Sequence, residues 1–410
     1  MSSDNLIDKM RKQGIEAGSL MQVPALSGHM GGVDYFIITL PFSVITRYLD
    51  TTDRNLPPKE RENRKPSPAR FAVISKYINE NPESYRFSSI TCSYGKSGQH
   101  GPLKWDPIEK TGDLSHIGIL TLDQRDPLII VDGQHRFEGI KKALESPDQD
   151  PELANDMISI VLFPYGSLKE SQQLFSDLNR TAKKTTKSLD ILFDRRDSVN
   201  MVVQELVEKV SVFKGRINLE DAGIPTQSSD MFTLAGIYQA TEPILDAIYE
   251  ANIISVPLSE KDEKGNLVNF EEYVNLLTDI WAFLSSQFPE WADVANGILD
   301  IRTARTKFLH WNSGVISAVG EFVATCIREK GDEWQDAVET ALRHPDNLGW
   351  RRAEPHWQGI ITAGTMVLPR SAIKPQLKAY LKNLAGLPLT DGDVKNLEYI
   401  QERKKQLEVE

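Results

Sequence analysis

The chain has 410 residues, of which 47 are Lys or Arg and 58 are Asp or Glu, for a formal charge of −11 at neutral pH. That length points to two or three domains around a real core, and 40% hydrophobic with 26% charged residues excludes wholesale disorder. The acidic total excludes indiscriminate binding to nucleic acid, so any grip on phosphate backbones must come from local basic patches.

No stretch approaches ~18 uninterrupted apolar residues, which argues against a transmembrane helix. The N-terminus is polar and lacks the apolar run of a signal peptide. Cys92 and Cys326 lie far apart, with no CxxC or Cys/His cluster, so the expected home is the reducing cytoplasm and no structural zinc is expected. Residues 1–32 predict a short helix and then a flexible lead-in that ends in Gly28-His29-Met30-Gly31-Gly32. Val33–Leu40 reads as a strand on the β-propensity of Tyr35, Phe36, Ile37 and Ile38. Residues 54–70 form a Pro-interrupted basic loop, with six Lys or Arg against two Glu. Phe71, Ile74, Tyr77 and Ile78 then fall at helical spacing, and Asn81-Pro82 stops that helix.

Three short β-type runs follow, at Phe87–Ser93, Ile117–Leu122 and Leu128–Val131. A helix is expected over Arg136–Leu144, a strand over Met157–Phe163 and a helix over Leu168–Asn179. Strands interleaved with helices predict a mixed α/β domain over 33–195. Beyond it the spacing turns helical: Val199, Val202, Val203, Leu206, Val210 and Phe213 form one stripe, with Gly215 as its stop. Stripes within 268–284 and 315–323 are core faces of further helices, so 196–410 is expected to be mainly α-helical. The fold class is therefore α+β, with a helical second half.

The most informative run is Asp132-Gly133-Gln134-His135-Arg136, placed between a strand and a helix. Such a junction presents free backbone N–H groups and the positive end of a helix dipole. Gly133 permits a tight turn, His135 and Arg136 add donors for an anion, and Asp132 and Glu138 add carboxylates. The bland alternative is a structural turn in which Arg136 pairs with a carboxylate.

Two segments carry cations toward a phosphate backbone. One is the 54–70 loop with Arg61, Arg64, Lys65 and Arg70; the other holds Arg180, Lys183, Lys184 and Lys187 among hydroxyl residues. Either is equally readable as a solvated face. Trp350, Arg351, Arg352, His356 and Trp357 combine rings and cations, which suits base stacking, phosphate clamping or the packing of a helical bundle. Tyr94-Gly95-Lys96-Ser97 fails as a P-loop, because the required earlier glycine is Ile90. His29, His100, His116, His310 and His344 lack metal-ligand spacing, and the run Asp262-Glu263-Lys264 reads as a charged loop rather than a nuclease motif.

The run VDGQHRFEGI resembles the signature of the DGQHR-domain family, which includes the DndB-type proteins associated with DNA phosphorothioate modification. Phe175 to Lys184 resembles that family's downstream F-x-x-(L/I)-N segment with trailing lysines, and Trp350-Arg351-Arg352 with Trp357-Gln358-Gly359 resembles its Trp-rich segment. The likeness spans roughly residues 35–365. It implies a ParB/sulfiredoxin-like core in which Gly133, Gln134, His135 and Arg136 contact a nucleotide phosphate, with Asn179 and Arg180 across from them. Sulfiredoxins carry a reactive cysteine where this chain has Gln134, so sulfinic-acid reduction is not implied.

The resemblance implies a repressor that binds promoter duplex DNA of a phosphorothioation system, with a homodimer as the form that would match a two-fold operator. An enzyme alternative makes the turn an NTPase site for ATP or GTP. Asp132 would help hold Mg²⁺, Arg136 would steady the transferring phosphoryl group, and Glu138 or Asp177 would orient water. A third reading is a subunit of a DNA-modification or phage-defence complex with no DNA contact of its own.

Overall fold

The computed structural model describes residues 20–51, 60, 67–96, 104–147, 149–180, 185–263 and 265–409. The chain divides into two compact units, residues 1–183 and 184–410. Residues 184–195, read from the sequence as the end of the first domain, go with the second unit. Their helix α5 (Lys187–Phe193) buries Ile191 completely in that unit's core.

The first unit is built on an eight-stranded mixed sheet: β1 (Leu20–Met30), β2 (Val33–Pro41), β3 (Leu49–Asp50), β4 (Ile90–Tyr94), β5 (Lys104–Pro107), β6 (Ile117–Asp123), β7 (Leu128–Asp132) and β8 (Met157–Pro164). Their order is β3-β7-β4-β8-β2-β1-β6-β5; the β3–β7 and β4–β8 pairs are parallel and the other neighbours antiparallel. Alternate strand residues such as Ile38, Leu40, Ile90, Ile130 and Ile160 point into one core. Phe42, Ile78, Phe137 and Ile140 meet them from helices α1 (Phe42–Tyr48), α2 (Pro68–Glu80) and α3 (Gln134–Leu144). Helix α4 (Leu168–Arg180) lies against β7.

Leu20–Met30 corrects the expected flexible lead-in: it is a full strand at the middle of the sheet, paired to β2 and β6. Gly31 and Gly32 both take positive φ, the conformation a two-residue hairpin turn needs, and Met30 faces Val33 across it. Gly28 serves the same hairpin by leaving room for the Tyr35 ring, which lies 2.4 Å from where a Cβ would stand.

The second unit packs α5, α6 (Ser198–Lys209), α7 (Leu234–Glu250), α8 (Phe270–Gln287), α9 (Pro289–Ala295), α10 (Ile301–Lys307), α11 (Ser313–Lys330), α12 (Trp334–Leu342), α13 (Arg370–Leu384) and α14 (Asp391–Val409). Helix α6 ends at Lys209, earlier than the stripe implied. Val210 turns to extended backbone, and Phe213 reaches the core from the following turn. There it joins Phe232, Trp281 and Trp291 in an aromatic centre with ring centroids 5.1–6.5 Å apart. Side chains of Asp197, Thr233, Asp300 and Asn312 cap α6, α7, α10 and α11. A buried ion pair joins Lys382 to Asp393 between α13 and α14, where Thr390 also bonds the carboxylate.

Trp350 and Trp357 belong to this core. Their rings stack at 4.7 Å, and the Trp350 indole N–H donates to the Leu342 carbonyl. Trp350 holds φ +60, in the left-handed region that a bulky side chain resists at a cost of about 1–3 kcal/mol. His356 packs on Trp357 and Tyr380, and its buried Nε2 has no hydrogen-bond partner among the described residues. Burial, reinforced by the Lys404 charge, lowers its pKa to about 4.

Two predictions follow from this packing. A Cβ on Gly320 would stand 2.1 Å from the Ala240 carbonyl oxygen, where α11 and α7 touch backbone to backbone. Gly320→Ala should therefore cost about 1–3 kcal/mol by overpacking and lower the thermal midpoint of the second unit by about 2–4 °C per kcal/mol. For His356, the unfolded chain takes up a proton below its ordinary value of about 6.5, while the folded chain waits until about 4. The unfolded state binds more protons in that window, so stability must fall as pH drops through it. Urea midpoints should decline on acidification more steeply for the wild type than for His356→Leu.

Candidate phosphate-binding site

Strand β7 is an unbroken apolar run, buried up to Val131, and it delivers Asp132 to the sheet edge. The chain then reverses through Gly133 at φ +97 and enters α3 directly. A side chain at 133 is excluded by more than φ. A Cβ there would stand 2.9 Å from Arg136 Nη2 and 3.1 Å from Ile90 Cγ1. The guanidinium folds back over the glycine, and its Nη2 donates to Asp132 Oδ2 at 2.8 Å and to the Ser89 carbonyl at 3.0 Å. Arg136 thus ties the turn to the residue just before β4. Its Nε is buried and has no hydrogen-bond partner among the described residues.

His135 points toward α2. Its Nε2 accepts the Ser67 backbone N–H at 3.0 Å, which puts the neutral ring's proton on Nδ1, and the Phe71 ring lies 6.0 Å away. Farther along, a Cβ on Gly139 would stand 2.3 Å from Ile74 Cγ2, so α2 and α3 run in close contact. As a result the first turns of both helices border one cleft of about 440 Å³. Arg70, Val73 and Ile74 line it from α2, the Asp132–Arg136 run from the turn, and Phe175 and Asn179 from α4.

The cleft assembles Asp132, Gly133, Gln134, His135, Arg136 and Asn179, all singled out in the sequence. It also recruits Arg70, which the sequence had placed in a separate basic patch. Arg70 is exposed and has no ion pair among the described residues. Gln134 is buried, and Asn179 spends its amide on the Phe175 carbonyl at 2.8 Å. Glu138 and Arg180 are not among the lining residues, and Asp177 is exposed and bonded to Gln173 at 2.8 Å. Lys187 belongs to the second unit, where its ammonium sits 4.7 Å over the Tyr238 ring. Arg61, Arg64, Lys65, Lys183 and Lys184 lie outside the described residues. The sequence reading took Ile74 as a helix-core position and Phe175 as part of the family segment and did not single out Val73, so the apolar wall the three form escaped it.

Chemically, the cleft offers donors of two kinds: the first-turn backbone of helix α3 and the guanidinium of Arg70. That combination suits a phosphate-sized anion set against an apolar wall. Asp132 is neutralised by Arg136 and so does not oppose an incoming anion with a free charge. Among the described residues no group of three or more His, Cys, Asp or Glu is arranged to hold a metal ion. Gly133→Ala should destabilise the first unit by about 1–3 kcal/mol, since it combines a strained φ with displacement of Arg136. Urea unfolding would show it, and a neutral result would mean that the turn can relax.

None of the described helices is long and apolar enough to cross a membrane. Neither the curated proteins nor the solved structures contain a match to this chain. A family model for DNA-sulfur modification-associated proteins matches residues 23–387, from within the first strand to just past α13 of the helical unit. The chain therefore belongs to the DndB family.

Proposed function

We propose that the protein is a DNA-binding regulator, a repressor, of a DNA phosphorothioate modification system, and that the Asp132–Arg136 cleft receives a phosphate of nucleotide or of modified DNA. The observation that carries this reading is Arg70. A cation from the basic segment and the glycine turn of the signature motif line one cleft. Backbone neutralisation and recognition of a particular phosphate then share a site rather than occupying two faces. Family membership supplies the DNA-sulfur context.

Phosphate contacts release condensed counterions, so affinity for promoter duplex should fall steeply with salt. Arg70→Ala should weaken binding and reduce the slope of log affinity against log salt by about 0.9, one phosphate's worth. Fluorescence anisotropy on the full chain, with ordinary and phosphorothioate duplexes, measures both quantities. Binding that ignores salt and Arg70 would overturn the reading.

The NTPase alternative draws support from the presence of Asp132 and Arg136 in the same cleft. Its difficulty is geometric. Asp132 is already bonded to Arg136 at 2.8 Å, and Glu138 does not line the cleft. Under the regulator reading, phosphate release from ATP or GTP with Mg²⁺ stays at background in wild type and Arg136→Ala alike. Turnover that vanishes in the variant would move the conclusion to an enzyme.

A further inference from the structure

The helical unit holds a second cleft, of about 700 Å³, built from segments far apart in the chain. Lys307 enters it from the end of α10, Arg351 and Arg352 from the segment after Trp350, and Gln358 and Thr365 from beyond. The lining contains three cations and no carboxylate, in a protein whose formal charge is −11. Lys307 and Arg351 are exposed, and neither side chain has a hydrogen bond or ion pair among the described residues. Glu290, the carboxylate that acts on Arg351, is itself turned to the buried His310 at 3.3 Å.

The frame around these cations is rigid. Phe308 and Arg351 form an antiparallel bridge, and the Arg352 N–H donates to the Lys307 carbonyl at 2.8 Å. That bond satisfies one of the carbonyls left without an intrahelical partner at the end of α10. The Arg352 guanidinium donates to the Thr365 carbonyl at 2.8 Å, and Gln358 bonds Gly364 in both directions at 2.9 Å. Directly before the arginines stands Trp350, held left-handed at φ +60 with its ring locked in the core. A strained bulky residue persists only where its surroundings over-determine it, and here it fixes the point from which two arginines leave the core.

Three cations carried on backbone segments tied into one cleft repel one another, and a bound dianion removes that cost while accepting several charge-assisted hydrogen bonds. We propose that the cleft of Lys307, Arg351 and Arg352 is a phosphate-binding site, filled by a phosphate of duplex DNA or by the phosphates of a free nucleotide. The site is independent of the Asp132–Arg136 cleft and of the function proposed for it.

The test uses the full chain with Lys307→Glu/Arg351→Glu, with the milder Lys307→Gln in case the reversal does not fold, circular dichroism being the check. Probes are a short fluorescent duplex across a salt series, and pyrophosphate and ATP by calorimetry. If DNA is the source, the double variant should lose about tenfold or more in duplex affinity and about two in salt slope. If a nucleotide is the source, pyrophosphate and ATP binding should be lost while duplex binding stays. Folded variants that leave all three probes unchanged overturn the proposal. Arg70→Ala run in parallel separates the two sites: loss of duplex binding there, with none of the three probes weakened in the cleft variants, sinks this inference and leaves the first intact.

Discussion

One guanidinium organises the first unit's cleft. Arg136 reaches back over Gly133 to hold the Asp132 carboxylate and the Ser89 carbonyl at once. A strand end, a left-handed turn, a helix start and the chain entering β4 are thereby tied together through one guanidinium nitrogen, Nη2. The pair is partly solvent-exposed, with side-chain accessibilities of 24% and 38%, so its value lies in geometry more than in net stability. It keeps the first turn of α3 aimed at the cleft, and it leaves Arg70 as the cation presented there. The structural reading of the motif and the function proposed for it are therefore compatible: the arginine positions the turn, and on that proposal its neighbours would bind the phosphate.

The sheet explains why the turn can be held so firmly. Strand β7 lies between β3 and β4, and its residues from Leu128 to Val131 are buried. Burial of apolar side chains on both faces holds the strand between its neighbours. Helix α3 cannot drift either, because Gly139 brings it hard against Ile74 of α2. The spacing between Arg70 and the turn thus descends from a helix–helix contact that only a glycine allows.

How much of this was legible depended on how local each signal was. The β7–turn–α3 junction could be read directly, since an apolar run, a glycine and a helical stripe sit consecutively. Strand β1 could not: Pro24 breaks the expected strand pattern, and Gly28, Gly31 and Gly32 suggest mobility. In fact Pro24 is accommodated opposite Ile119, and the glycines make a turn and a ring seat. Arg70 was visible as a charge but not as a partner of His135's helix, because the link runs through Ser67 and tertiary packing. Lys307 carried no signal at all. Its meaning comes from Arg351 and Arg352, which only the folded bundle brings beside it.

Charge distribution then decides what kind of ligand such sites favour. A protein of net −11 repels a polyanion at long range, and at physiological ionic strength that field fades over about 8 Å. Only contacts made inside that distance attract, and in the described clefts they come from fixed, small clusters rather than from a basic face. Such a surface gains little from indiscriminate sliding along DNA, where nearly all affinity is backbone charge. It gains most from a phosphate that fits a preset frame of backbone amides and guanidinium groups. Under the proposed function, an acidic chain with confined cationic clefts suits selective rather than bulk recognition of phosphate.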